Sequence, residues 1–330
     1  MTRDLVAGLP KCELHLHLEG SLRPDTLRAL AARHGTPIHQ DLGSAYEFGS
    51  FDEFVRLFML GLSLLRDAED FCAAITALAA ELASQNVRYA EVTSTAFSHV
   101  RRGVPVEEYV AGLDEGRRRA AAMGVQLAWI IDIPRSLEPP DSGFTADLLL
   151  SGRAPSGTVG IGLGGPEVDY PPSLYEPSFR RAKAAGLLSL PHAGETTGAD
   201  SVWQALDLLG ADRIGHGVRC LEDPRLVDHL AAAGVPLEVC ITSNVLLGVA
   251  PSVEEHPIRR LRAAGVRLSV NTDDPGYFST TLTDELALAA DLLGPDQVVA
   301  LVEDAFACSA LDEPARASYL TELRASSRSS

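Results

Sequence analysis

The chain has 330 residues, 46% of them hydrophobic and 22% charged, the profile of a soluble globular protein. Its formal net charge of −17 would repel a nucleic-acid strand, so a nucleic-acid partner is not expected. No apolar run reaches the roughly 18–20 residues needed to cross a bilayer, so no membrane partner is expected, and Met1–Gly20 reads as neither signal peptide nor anchor.

In chain order, short apolar runs predict strands over Glu13–Leu18, Val87–Thr93, Gln126–Ile131, Val159–Leu163, Leu187–Pro191, Arg213–His216, Pro236–Cys240 and Val266–Asn271. Helical patterns fall between them, over Phe71–Gln85, Val106–Met123, Ser173–Ala185, Ser201–Leu209, Pro224–Ala233 and Ile258–Ala264. Asp223 before Pro224 and Gly234 after Ala233 read as a helix start and stop. Eight strands alternating with helices predict an α/β fold, a (β/α)8 TIM barrel, with residues 1–330 forming one domain. Thr36–Leu65 reads as an insertion after the first strand that could form helices above the barrel mouth, its hydrophobic part Phe51–Leu65 serving as a lid or packing on the rim. Pro134–Ser142 and Ser151–Ser156 read as loops, and Arg324–Ser330 as a frayed tail. Five cysteines, odd in number, widely spread and without a C-x-x-C pair, imply reduced thiols and a cytoplasmic location.

Four of the nine histidines stand at predicted strand ends, the catalytic face of such a barrel. His15 and His17 are two apart on one strand, so both side chains point the same way. They could grip one metal inside the barrel, or be a polar pair on an exposed face. His192 ends the fifth strand and Glu195 follows at the rim, where a carboxyl can shuttle protons or simply start a helix. His216, flanked by Gly215 and Gly217, ends the sixth strand as a site residue or a satisfied core histidine. Asp273 and Asp274 end the eighth, where one could ligate a metal while the other orients a water or substrate; a polar turn closed by Pro275 is the plainer reading. Together, three imidazoles and a carboxylate make a plausible zinc site, and zinc lowers the pKa of its bound water toward about 7. A single ion is expected, because Val159–Gly165 offers no lysine to bridge a pair. His34, His39, His99, His229 and His256 read as structural or solvent-facing.

The motifs Leu9-Pro10-Lys11-x-Glu13-Leu14-His15-Leu16-His17-Leu18-Glu19-Gly20-Ser21, His192-Ala193-Gly194-Glu195, Arg213-Ile214-Gly215-His216-Gly217, Thr242-Ser243-Asn244 and Asn271-Thr272-Asp273-Asp274-Pro275 resemble the adenosine deaminase family of the amidohydrolase superfamily, in its order and spacing, over nearly the whole chain. The resemblance implies one zinc held by His15, His17, His192 and Asp273. It implies Glu195 as the acid that protonates purine N1. His216 would hold and help deprotonate the attacking water, and Asp274 would bind that water or purine N7. Gly165 would meet purine N3 through its backbone, and Glu19 would stand near the ribose. The implied reaction is hydrolytic loss of ammonia from C6 of a purine nucleoside.

Departures from the family pattern bear on the substrate. Gly162-Leu163-Gly164-Gly165 stands where relatives resemble Asp-Leu-Ala-Gly, and Glu91–Phe97 lacks an Arg and a Pro more usual there. Both stretches lie near the expected sugar side. Gly215, where free-adenine deaminases usually carry Asp, favours a nucleoside of the adenosine type. A 6-aminodeoxyfutalosine deaminase of menaquinone synthesis is the leading alternative, followed by an adenine deaminase. Cyclic amide hydrolysis and a non-catalytic nucleoside-binding barrel are rivals from other classes. The latter would need no acid–base set such as Glu195 and His216 provide.

Overall fold

The computed structural model describes residues 3–38, 51–135 and 142–328. Eight strands follow one another in chain order within one sheet: β1 (Lys11–His17), β2 (Val87–Ser94), β3 (Gln126–Pro134), β4 (Thr158–Gly164), β5 (Leu188–Ala193), β6 (Ile214–His216), β7 (Leu237–Val239) and β8 (Leu268–Val270). Every neighbouring pair is parallel. A parallel bridge between Leu16 of β1 and Asp273, just past β8, draws the ring together. The arrangement is a (β/α)8 barrel, and the eight expected strands fall within three residues of the observed bounds. Most of these strands are largely apolar because both faces are covered, by the barrel interior and by helices, whereas β1 alternates Lys11, Glu13, His15 and His17 with Cys12, Leu14 and Leu16.

Helices Ala68–Ser84, Val106–Ala122, Ser142–Leu150, Glu176–Ala184, Ala199–Asp207, Pro224–Ala233 and Ile258–Ala263 each precede a strand. Local chemistry sets their ends. Asp67 and Asp70 form a capping box at the first. Asp223 accepts from the Arg225 N–H while Gly234 takes the left-handed conformation, the start and stop expected of Pro224–Ala233. Such a cap contributes about 1 kcal/mol.

Residues 39–50 of the insertion and 136–141 of the loop after β3 lie outside the described residues. Helix Phe51–Leu64 occupies the insertion's end. It buries Leu57, Leu62 and Leu64, and sets the Phe58 ring 5.9 Å from Tyr277 on the barrel rim. The expected frayed tail is corrected in part: helix Glu313–Arg328 runs into it, because Leu323 is buried and Arg324 bonds Glu303 at 2.8 Å.

Candidate active site

The strand ends named in the sequence converge at one point. His17 Nε2 lies 3.2 Å from His192 Nε2, and Asp273 Oδ1 lies 3.4 Å from His15 Nε2 and 3.3 Å from His17 Nε2. One ligand atom from each of His15, His17, His192 and Asp273 falls within 4.8 Å of the others. Atoms bound at about 2.0–2.1 Å to one tetrahedral ion stand roughly 3.3–3.4 Å apart, so these residues fit a zinc-sized cation. His15 Nε2 is buried without a hydrogen-bond partner, as a ligand atom aimed at such a centre would be. His216, Cys240 and Asp273 form a second grouping, but burial holds the Cys240 thiol well above its usual range, which makes it the poorer ligand.

His15 and Asp273 are held from behind. His15 Nδ1 meets Glu238 Oε2 of β7 at 3.1 Å, and Arg213 Nε donates to Glu238 Oε1 at 2.6 Å. The same guanidinium pairs with Glu91 of β2. Ser243 Oγ donates to Asp273 Oδ2 at 2.6 Å. The Asp273 backbone bonds β1 on both sides, accepting from the His17 N–H at 2.8 Å and donating to the His15 carbonyl at 3.1 Å. Gly215 must lack a side chain, since a Cβ there would lie 2.8 Å from His15 Cε1. His216 and Asp273 both have positive φ, 59° and 66°. Such strain in non-glycine residues collects at functional sites.

The tautomer of His216 follows from a chain of donors. The Ile258 N–H donates to His256 Nδ1 at 3.2 Å, so His256 carries its proton on Nε2 and donates to Asn244 Oδ1 at 3.1 Å. That turns the Asn244 amide nitrogen toward His216 Nδ1, 3.2 Å away. Neutral His216 therefore bears its hydrogen on Nε2, facing Glu195 Oε1 at 3.7 Å and Asp273 Oδ2 at 3.8 Å. Burial lowers His216 to about 4, so it stays neutral at ordinary pH.

Environment separates the carboxyls. Burial, then the charges of Asp273 and Glu167, push Glu195 up to about 8. Burial would also raise Asp273, but His15 and His17 outweigh it and hold Asp273 well below the usual carboxylate range. A neutral acid beside an ionised one is the division acid–base chemistry needs. Glu195 Oε1 is buried with no hydrogen-bond partner. Burial and Asp273 raise Asp274 to about 7, and its Oδ1 occupies the space a Cβ on Gly20 would fill.

The remaining expected residues lie toward β2–β4. Glu19 is buried, its Oε1 accepting from Ser94 Oγ at 2.8 Å and the Thr95 N–H at 3.1 Å and meeting His99 Nε2 at 2.9 Å. Gly165, with φ 94°, packs against the Arg135 backbone. Arg135 and Glu167 were missed as functional residues in the sequence. Arg135 Nη2 donates to the His192 carbonyl at 2.8 Å. Glu167 Oε2 accepts from the N–H groups of Glu195, Thr196 and Thr197 at 3.1, 2.8 and 2.7 Å. Glu238 and Asp132 were missed as well. A lone charge inside an apolar strand run sets both apart in the sequence, but not what either touches.

A parallel barrel whose mouth joins three imidazoles, an ionised carboxylate and a neutral carboxyl defines a hydrolase site of the amidohydrolase kind. The adenosine deaminase family model matches residues 10–326, and the chain belongs to that family. It is 41% identical to an aminodeoxyfutalosine deaminase of Streptomyces avermitilis, over 97% of this chain and 93% of that protein. An adenine deaminase structure from Arthrobacter aurescens superposes with TM-score 0.92 at 33% identity, covering 97% of this chain and 99% of that one. A zinc-bound amidohydrolase from Burkholderia ambifaria superposes with TM-score 0.90 at 28% identity, covering 99% and 94%. The protein is thus a deaminase of adenine-like substrates, a hydrolase of C–N bonds in cyclic amidines. Among the described residues, no helix is long and apolar enough to cross a membrane.

Proposed function

We propose that the protein is a zinc-dependent deaminase of a 6-aminopurine nucleoside with an enlarged 5′ group, of the aminodeoxyfutalosine kind. This reverses the order in the sequence reading, which put adenosine first. The observation that carries it is the 41% identity to an aminodeoxyfutalosine deaminase over 97% of the chain. The adenine deaminase reading keeps second place on the Arthrobacter aurescens likeness. Gly215 weighs against it, since adenine deaminases usually carry Asp at the matching position.

His15, His17, His192 and Asp273 would hold the zinc. Zinc, when bound, supplies Lewis acidity and a nucleophilic water near neutral pH. Glu195 holds a proton at neutral pH and presents an unpartnered oxygen, which suits delivery to purine N1. His216 presents Nε2–H, so it donates to and holds the attacking oxygen rather than taking its proton. Asp274, coming past Gly20, accepts from that water or meets purine N7. Gly165 lets the purine edge approach the backbone at the end of β4, and Glu19 faces the sugar. The exocyclic amine leaves C6 as ammonia and water supplies the oxygen that replaces it.

The test is kcat/KM for 6-aminodeoxyfutalosine, adenosine, 5′-methylthioadenosine and adenine, followed by loss of the adenine absorbance band and by ammonia release. We expect 6-aminodeoxyfutalosine to lead adenosine and adenine by at least about tenfold. A lead for adenine sinks the nucleoside assignment, and no turnover of any 6-aminopurine sinks the deaminase itself.

A further inference from the structure

A cavity of about 590 Å³ lies at the end of the barrel opposite the metal cluster. Residues at the N-terminal ends of β4 to β8 line it, Leu188, Arg213 and Arg267 among them. The turn Cys308–Leu311, between helices Asp296–Cys308 and Glu313–Arg328, forms a side wall. No step of deamination uses this end of the barrel. The volume falls within the usual range of small-molecule sites, about 300–1,000 Å³.

The lining charge is of one sign. Arg213, Arg267 and Arg316 line the cavity, in a chain whose net charge is −17. The one acid among the described lining residues, Asp212, is neutralised by Lys183 Nζ at 2.8 Å and accepts from the Ser189 N–H at 2.7 Å. The arginines keep donors in hand. Arg316 Nη1 meets Glu313 and its Nη2 the Ser309 and Leu311 carbonyls, yet its Nε is buried with no hydrogen-bond partner. Arg267 Nε stands 3.8 Å from Asp304 Oδ1, beyond a hydrogen bond, and its side chain is half-exposed. Arg213 commits three of the five N–H hydrogens of a guanidinium, to Glu238, Glu91 and the Cys308 carbonyl.

A guanidinium only donates, and a buried donor without an acceptor is costly. Three of them around one cavity call for an acceptor that carries negative charge. Carboxylate and phosphate both match the planar fork. Val159, Leu187 and Leu311 add an apolar wall, which a bare inorganic ion would leave uncovered. We propose that the barrel floor is a second ligand site, separate from the deamination site, for a small organic oxyanion: a carboxylate or phosphate carried on an apolar body. The site is independent of which purine is deaminated.

The test is calorimetric titration of the zinc-loaded protein with benzoate, phenyl phosphate and inorganic phosphate. At least one organic anion should bind with Kd below about 1 mM and about tenfold or more tighter than inorganic phosphate. The tighter of the two identifies the oxyanion. Arg267→Ala should weaken that binding about tenfold or more, and Arg267→Lys by less, because the charge remains. Arg316→Met should act in the same direction, read at a thermal unfolding equal to wild type, since Arg316 also pins two carbonyls. Half-exposed Arg267 keeps the test independent of folding, and kcat/KM for deamination should match wild type in its variants. Arg213 stays unaltered, because it also holds Glu238 behind His15. No organic anion bound at about 1 mM overturns the proposal. So does inorganic phosphate bound as tightly as either organic anion, which would be charge attraction alone. Affinity that survives both Arg267→Ala and Arg316→Met but is lost with the zinc overturns it too, by placing the anion on the metal.

Discussion

His15, Asp273, His216 and the Glu195 loop, on the arc from β5 round to β1, are each fixed by a partner behind them: Glu238, Ser243, Asn244 and Glu167. Asp132 Oδ1 and Glu19 Oε2, on the arc toward β2–β4, are buried with no hydrogen-bond partner. The first arc is organised before substrate arrives, as electrostatic catalysis requires, because reorganising dipoles during reaction costs barrier height. The second has no such backing for these two oxygens. We expect chemistry on the first arc and selectivity on the second, so substitutions in each should move different kinetic constants.

The largest effect belongs to the first arc. Glu195→Gln keeps the shape but removes the transferable proton. It should lower kcat by about 10²- to 10⁴-fold. Metal content, read by elemental analysis, should stay at the wild-type value, since Glu195 lies outside the ligand cluster. Wild-type kcat in that variant removes Glu195 from the mechanism.

A smaller loss should follow from the support behind Glu195. Glu167 Oε2 also accepts from the hydroxyls of Thr196 and Thr197, at 3.2 and 3.0 Å. Thr197 and Arg135 outweigh burial and keep its carboxyl below the usual range. Glu167→Ala leaves three N–H groups without their acceptor and frees the loop. A displacement near 1 Å typically costs up to about 10²-fold, so we expect kcat to fall roughly 10- to 100-fold with KM little changed. Glu167→Gln retains an acceptor oxygen and should recover part of kcat. A rise in KM alone would place Glu167 in substrate binding instead, and blur the contrast between the arcs.

The sequence made the first arc legible for a physical reason. A metal site needs fixed residue types at strand ends, and His15-Leu16-His17, His192, His216 and Asp273 could be aligned with such ends by periodicity alone. The partners behind them were not legible. Glu238 and Asn244 act through contacts between strands distant in sequence, and His256 sets the His216 tautomer across a loop. The barrel was legible too, because eight buried parallel strands write themselves as eight apolar runs. Asp132 was hidden for the opposite reason. Its meaning comes from the missing side chains of Gly162 and Gly164 on the next strand, which no local pattern displays.

The smallest effect, and the one confined to the second arc, is a pH dependence of selectivity. Burial, more than any neighbour, raises Asp132 to about 6; His17 pulls it down and Glu19 pushes it up. Arg135 and the Tyr109 hydroxyl are the other titratable groups that sense it. Its pKa in the fold is above the ordinary 3.8, so Asp132 is largely protonated below pH 6 and ionised above. The ionised form accepts a hydroxyl hydrogen bond roughly twice as strongly as the neutral form. The adenosine to deoxyadenosine ratio of kcat/KM should therefore rise by about three- to tenfold as pH climbs from 5 to 7.5. The ratio is the informative quantity, because titration of Glu195 or His216 affects both substrates alike and cancels. In Asp132→Asn the ratio should be flat across that range. A wild-type ratio equal at both ends would mean that the carboxylate does not meet the sugar, and the two arcs would then no longer divide chemistry from selectivity at Asp132.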